Sequence, residues 1–266
     1  MTANKMRISR FWIIALLAGA AWMPALAQNP FVILPNGNRV DGTAIRSRAD
    51  GTVILTTGQG EITYARGQYQ RAEAVRPPDF DRARQLAQQG KPDDAIRLLE
   101  QVATNFRFLH WDTQSRISIA QILASKGDHT AAVTAYERLF QASPELRRES
   151  AVLWGYLTAM VEAKQFDKLS PMLEELIARG SRTDVARAQV LRGDLKMAQG
   201  QVEGAVMDYL RSVLLYESER TVLPEALVKA AEGLERLRDP RSREMYRRVA
   251  QEFPGTSFAQ RAQGKF

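Results

Sequence analysis

The sequence contains no cysteine. That absence removes a disulfide framework, a thiolate metal site and a lipid-modified amino-terminal cysteine together. Histidine is almost as scarce: His110 and His129 are the only two, separated by an expected helix, too few for a histidine-rich metal site. Serine nucleophile elbows, Walker-type phosphate loops and H-E-x-x-H are missing. The acidic pair Asp93-Asp94 follows Pro92, where acids complement the start of a helix rather than form a catalytic couple. With no activated nucleophile, acid/base pair or cofactor motif, the expectation is a protein that is not an enzyme and takes no cofactor and no metal.

Long apolar runs are also missing, with one exception: FWIIALLAGAAWM, Phe11 to Met23. It follows Lys5, Arg7 and Arg10 and precedes Ala25-Leu26-Ala27. A basic start, a short apolar centre and an A-x-A site read as a secretory signal peptide over residues 1–27, cut before Gln28. The rival is an uncleaved anchor, but a span wants ~20 apolar residues and this run is shorter. Cleavage removes three bases and no acid, so the formal net charge falls from +7 to +4. So mild an excess, on an exported chain, argues against nucleic acid. The expected location is periplasmic or secreted, with no membrane span after cleavage.

What remains is ordinary globular composition, 45% apolar and 25% charged. Its texture changes at Arg76-Pro77-Pro78-Asp79, a double proline expected as a hinge. Before it, residues 28–76 form short alternating runs. NRVDGTAI, GTVILTT and EITYAR read as strands, and Asn36-Gly37, Asp50-Gly51 and Gln59-Gly60 as turns, with positive φ available at both central positions of the Asn-Gly and Asp-Gly pairs. Val53 and Leu55 would face inward, continued by Ile62 and Tyr64, with Ile54 on the opposite face. A small all-β module, SH3-like or a meander, is expected, either closed on itself or docked on the helices.

After the prolines, residues 79–266 are alanine- and leucine-rich, and a Gly-x4-Ala step recurs: Gly90 with Ala95, Gly127 with Ala132, Gly200 with Ala205. Gln165 with Ser170 and Arg238 with Arg243 occupy the same places in two weaker units, giving anchor spacings of 37, 38, 35 and 38 residues. A period in the mid-thirties with helical patterning on both sides marks an array of helical hairpins. The glycine can turn left-handed to stop one helix, and the alanine lets the next approach closely. Tyr136 and Leu139 then fall on the face of Ala132.

In LRGDLKMAQGQVEGAVMDY, Leu191, Gly193, Gly200, Ala205 and Tyr209 resemble the tetratricopeptide repeat; Gly127, Ala132, Tyr136, Leu139 and Pro144 repeat the order, and Trp154 adds to it. The final ERLRDPRSREMYRRVAQEFPGTSFAQRA is similar to the ending of cell-envelope members. The resemblance covers about Asp79 to Phe266 and implies a mainly α solenoid of five hairpins and a terminal helix. It also implies a partner surface on the concave side, with Arg84, Gln121, Glu162, Arg187, Asp194 and Glu232 among its polar residues. These mix charge signs and do not reproduce the Lys/Asn set that grips a carboxy-terminal carboxylate in chaperone-binding relatives.

Two further features have plain structural readings. Arg192-Gly193-Asp194 spells an adhesion tripeptide, but Gly193 sits at a helix position of the repeat. Arg236, Arg238, Arg241, Arg243, Arg247 and Arg248 form a basic patch, read as a solvated helix face or as a site for an acidic protein or envelope polymer. The reading is an exported scaffold whose partners are other envelope proteins. The alternative is a module that binds an envelope polymer such as peptidoglycan through its β part, with the repeats as spacer. Mass spectrometry of the protein from the envelope fraction should place its first residue at Gln28; an intact Met1 there would refute cleavage.

Overall fold

The computed structural model of the protein describes residues 29–266; the expected signal peptide and its cleavage site lie outside the described residues. Six short strands come first: β1 (Phe31–Ile33), β2 (Arg39–Asp41), β3 (Ala44–Ser47), β4 (Val53–Thr57), β5 (Gly60–Tyr64) and β6 (Arg71–Glu73). They form two antiparallel sheets of three strands, in the orders β2-β1-β6 and β3-β4-β5. NRVDGTAI, expected as one strand, is divided between the two sheets at Gly42. The Gly42 amide donates to Pro30 O at 2.9 Å and the next amide, Thr43, to Thr56 O at 2.7 Å. A Cβ on Gly42 would lie 2.5 Å from both Leu55 Cδ1 and Thr56 O, so only glycine passes between the sheets here.

The turns also differ from expectation. At Leu34–Gly37 and Arg48–Gly51 the i to i+3 hydrogen bond closes, at 2.9 and 3.0 Å, and only the glycine is left-handed, at φ 84° and 86°. Asn36 and Asp50 keep negative φ, which describes a type I turn ended by a left-handed glycine rather than a mirror-image turn. Val53, Ile54 and Leu55 are all buried, so β4 is covered on both faces. Ile62 pairs opposite Leu55, but β5 is an edge strand and leaves Ile62 exposed rather than inward.

Eleven helices follow among the described residues, ten of them paired as hairpins: α1 (Pro78–Gln88) with α2 (Pro92–Asn105), α3 (Trp111–Lys126) with α4 (His129–Ala142), α5 (Ser150–Glu162) with α6 (Phe166–Arg179), α7 (Arg182–Ala198) with α8 (Val202–Leu215), and α9 (Leu223–Arg236) with α10 (Ser242–Glu252). A short α11 (Ser257–Ala262) packs onto α9 and α10. The double proline is not a hinge between separate bodies. Val32, Val53, Leu55 and Ala72 share one core with Phe80, Leu99 and Trp111. The Trp111 indole N–H donates to Ala74 O at 2.8 Å, and Ser47 Oγ to Arg107 O at 2.6 Å. The β module therefore covers the flank that the first hairpin would otherwise expose.

Every first helix of a hairpin ends in the same way. Gly90, Gly127, Lys164, Gly200 and Arg238 are all left-handed, with φ of 75°, 88°, 56°, 77° and 58°. In each case the following amide reaches back into the helix, as Lys91 N does to Leu86 O and Gln165 N to Met160 O, both at 2.9 Å. This is the Schellman closure. It corrects the register of the third unit by one residue, from Gln165/Ser170 to Lys164/Leu169. In the fifth unit, Arg238 holds the glycine place, but the small buried residue is Ser242; Arg243 points to solvent. The step from the left-handed residue to the crossing is one residue shorter there, although the turn between the helices is longer.

Ala95, Ala132 and Ala205 are fully buried where the second helix crosses the first. The third unit has Leu169 at that place, also fully buried. The larger side chain holds the helices apart, so α5 and α6 approach each other less closely than the helices of the other hairpins; Pro171 also lies inside α6. Two substitutions test this account. Lys164→Gly relieves a left-handed lysine and should stabilise by about 0.5–1 kcal/mol. Ala132→Leu should cost roughly 1–3 kcal/mol, against about 0.5 kcal/mol for the half-buried Ala131→Leu. Denaturant melts of the three variants measure both; equal midpoints for the two alanine variants would contradict the crossing.

Candidate functional site

The first helices of the hairpins line one side of the array, and between α3 and α5 they leave a groove of ≈ 380 Å³. Gln121 and Ala124 come from α3; Trp154, Thr158 and Glu162 stand at i, i+4 and i+8 on α5; His129 and Tyr136 of α4 contribute to its floor. Gly155 sits directly against the Tyr136 hydroxyl, where any Cβ would collide. The Trp154 indole donates to Asp184 Oδ1 at 3.3 Å, and Arg187 lies 6.0 Å from its ring centre. Trp154 is thereby held as one wall of the groove. His129 Nδ1 is buried without a hydrogen-bond partner, and Glu162 is exposed with no ion partner among the described residues.

Of the six polar residues expected on this side, the groove gathers Gln121 and Glu162, and Arg187 adjoins it. Arg84 is exposed on α1, away from it. Asp194 is not free: it accepts from the Tyr209 hydroxyl at 2.8 Å and from Lys229 Nζ at 2.5 Å. Lys229 also meets Glu225 at 2.7 Å. Burial pulls the Lys229 ammonium down, but Asp194 and Glu225 outweigh it and hold its pKa above the ordinary lysine range. Glu232 pairs with Arg261 at 2.5 Å. The sequence reading missed Trp154 as a wall, although its four-residue spacing to Thr158 and Glu162 carried the signal.

The tripeptide Arg192-Gly193-Asp194 is helical and internal. Gly193 is buried against the Tyr209 ring, with no room for a Cβ. Arg192 forks onto Asp208, Nε to Oδ2 at 2.9 Å and Nη2 to Oδ1 at 2.7 Å, and reaches Glu174 at 2.8 Å. Lys196 and Arg211 approach the same Asp208 carboxylate at 2.7 and 2.6 Å. Asp208 is fully buried, so three cations converge on one desolvated charge and bind α6, α7 and α8 together. Burial would raise its pKa; the hydrogen bonds from Arg192 and Lys196 outweigh burial and hold it below the usual carboxylate range.

The six carboxy-terminal arginines do not stand as six free cations. Arg241 pairs with Asp239 at 2.5 Å, Arg247 with Glu244 at 2.6 Å, and Arg248 with Glu217 and Glu252. Arg236 donates to Met197 Sδ at 3.3 Å. Arg238 and Arg243 remain exposed.

Comparison with known proteins agrees with this architecture. Residues 80–146 and 225–256 each match a family model described as tetratricopeptide repeat, together less than half of the chain. Among solved structures, a point variant of a putative kinesin light chain from Podosopora anserina, with nearly identical TPR-like repeats, is 20% identical with a TM-score of 0.50; the match covers 65% of this chain and 92% of that one. MamA, from residue 41 to its end, of Desulfovibrio magneticus RS-1 is also 20% identical, with a TM-score of 0.46 and coverage of 66% and 95%. The likeness to the kinesin light chain concerns the fold alone. No curated protein matches.

The Asp208 cluster makes a pH-dependent prediction. A carboxylate whose pKa is depressed by folding adds stability that is complete above about pH 4 and disappears as pH falls through the folded value. Asp208→Asn should therefore lower stability by about 2–4 kcal/mol at pH 7, where it leaves the arginine and lysine uncompensated, and by progressively less in acid. Urea melts of both proteins from pH 7 down to pH 3 measure this; a gap independent of pH would contradict it.

Proposed function

We propose that this protein is a non-catalytic scaffold of the bacterial cell envelope that holds a segment of a partner protein in the groove between α3 and α5. The observation that carries the reading is the groove itself. It is open, mainly apolar and walled by Trp154, with the Gln121, Thr158 and Glu162 side chains at its edge. Such a surface offers an anchor pocket and polar groups that fix orientation, with no reactive constellation beside it. The repeat architecture supports the same view, because stacked hairpins generate an extended surface suited to binding another chain. Export rests on the basic start, the short apolar run and Ala25-Leu26-Ala27. A chain secreted into the periplasm meets envelope proteins as its partners.

Capture from an envelope extract, quantified by mass spectrometry, tests the reading with two groove variants. Glu162→Arg changes an exposed side chain and should leave the melting temperature unchanged; Trp154→Ala removes the wall. Each should reduce recovery of the same specific partner by roughly 10-fold or more. An undiminished partner profile in both folded variants would exclude the groove as the binding site.

A further inference from the structure

The fourth hairpin shows what can fill the kind of space in which the groove lies. Counted back from the left-handed residue after each first helix, Asp194 and Gln121 hold one place, six residues before Gly200 and Gly127. Lys229 and Gly155 hold another, nine residues before Arg238 and Lys164. Tyr209 and Tyr136 also correspond, each four residues beyond the alanine at the crossing. Where the fourth hairpin meets the fifth, Lys229 Nζ donates to Asp194 Oδ2 at 2.5 Å and the Tyr209 hydroxyl to the same carboxylate at 2.8 Å. Where the second meets the third, glycine stands for that lysine and glutamine for that aspartate, and the groove is open. The first and third hairpins carry Leu99 and Leu173 in place of the tyrosine, so the correspondence is confined to these two junctions.

The tyrosine accounts for the exchange. Tyr209 lies on Gly193, with no room there for a Cβ, and leaves α9 the space for a lysine. In the second hairpin Ala120 takes the place of Gly193, and the Tyr136 hydroxyl instead fills the space that a Cβ on Gly155 would need. At this place α5 therefore offers no side chain of its own. The acceptors remain without a cation. The Tyr136 hydroxyl makes no hydrogen bond among the described residues, and Glu162 is exposed with no ion partner among them. Neither lysine nor arginine lines the groove. The neighbouring Arg187 is engaged elsewhere, 6.0 Å from the Trp154 ring centre and 3.4 Å from Ser150 Oγ.

We propose that the groove receives a lysine side chain of the partner segment, its methylenes along Trp154 and its ammonium among Gln121 Oε1, the Tyr136 hydroxyl oxygen and the Glu162 carboxylate. This rests on the groove being the binding site and names the side chain that enters it. An ammonium carries three donors, and the groove supplies an acceptor for each, as Asp194 and Glu225 do for Lys229. The alkyl stem packs on an aromatic face that also attracts the cation. A carboxylate entering instead would face Glu162 as a like charge. An aliphatic side chain would cover the Tyr136 hydroxyl and the Gln121 amide without pairing either, which costs affinity. Because Glu162 is exposed, its share of the attraction is modest and weakens with salt.

Blocked pentapeptides Ala-Ala-X-Ala-Ala, with lysine, norleucine or glutamate at X, are the probes. They are titrated into the protein while the nuclear magnetic resonance signal of the Trp154 indole, identified by its loss in Trp154→Ala, is followed. The lysine peptide should move that signal with a Kd of about 1 mM or below, about 10-fold tighter than the norleucine peptide, and the glutamate peptide should bind more weakly still. Glu162→Gln should weaken the lysine peptide by about 3-fold or more and leave the norleucine peptide unchanged. Gln121→Asp, which restores the acid of the fourth hairpin, should strengthen the lysine peptide by a similar factor. A lysine peptide bound no better than norleucine, or indifferent to both Glu162→Gln and Gln121→Asp, overturns the lysine anchor. If norleucine then still moves the Trp154 signal, the groove remains a binding site with an apolar anchor. If no peptide moves it, the lysine anchor is likewise overturned, and partner capture by Trp154→Ala decides separately whether the groove reading falls with it.

Discussion

A helix can be followed at close range by an antiparallel partner only if its last carbonyls are satisfied and the chain reverses within a few residues. Here one left-handed residue meets both demands in each hairpin, and the remaining architecture depends on it. The reversal at Gly127 places Ala132 at the crossing, which in turn sets Tyr136 and Leu139 into the core and brings Tyr136 against Gly155 of the next hairpin. A backbone angle thus fixes the floor of the groove two helices away. Where lysine and arginine take the same angle, at Lys164 and Arg238, the closure persists, so stacking of the neighbouring hairpins overrides the local preference for glycine.

The same logic explains the ends. A stack of hairpins always has two uncovered flanks, and each is closed by a different device. At one, the β sheets contribute Val32, Val53 and Leu55 to the core around Phe80 and Trp111. At the other, Ala259 and Ala262 of α11 are buried, and Arg261 and Lys265 reach Glu232 and Glu235 on α9. Between these caps the cores follow one another along the chain, and the polar cluster around Asp208 joins three successive helices where apolar packing alone would not distinguish one alignment from another.

Much of this was legible in the sequence, and the gaps have physical causes. Gly90, Gly127 and Gly200 announced three reversals because glycine alone is at ease in that conformation. Lys164 and Arg238 announced nothing, since neither residue type signals a left-handed angle, and the third unit was accordingly read one residue late. The sheets were legible as strands, but the division at Gly42 depends on how near Leu55 and Thr56 come, a long-range property. Of the candidate groove, the repeat resemblance pointed to Gln121 and Glu162, which lie at its edge. It pointed equally to Asp194 and Glu232, yet their partners Lys229 and Arg261 lie 35 and 29 residues away, so their pairing could not be read locally.

The loose pairing of α5 and α6 changes what holds the third hairpin in place. The two helices approach each other less closely than those of the other hairpins, with Leu169 at the crossing and Pro171 inside α6. Yet one apolar core runs unbroken from α3 through α4, α5 and α6 to α7. The third hairpin is therefore clasped by the second and the fourth more than by its own two helices, and α5, one wall of the groove, takes its position from those neighbours.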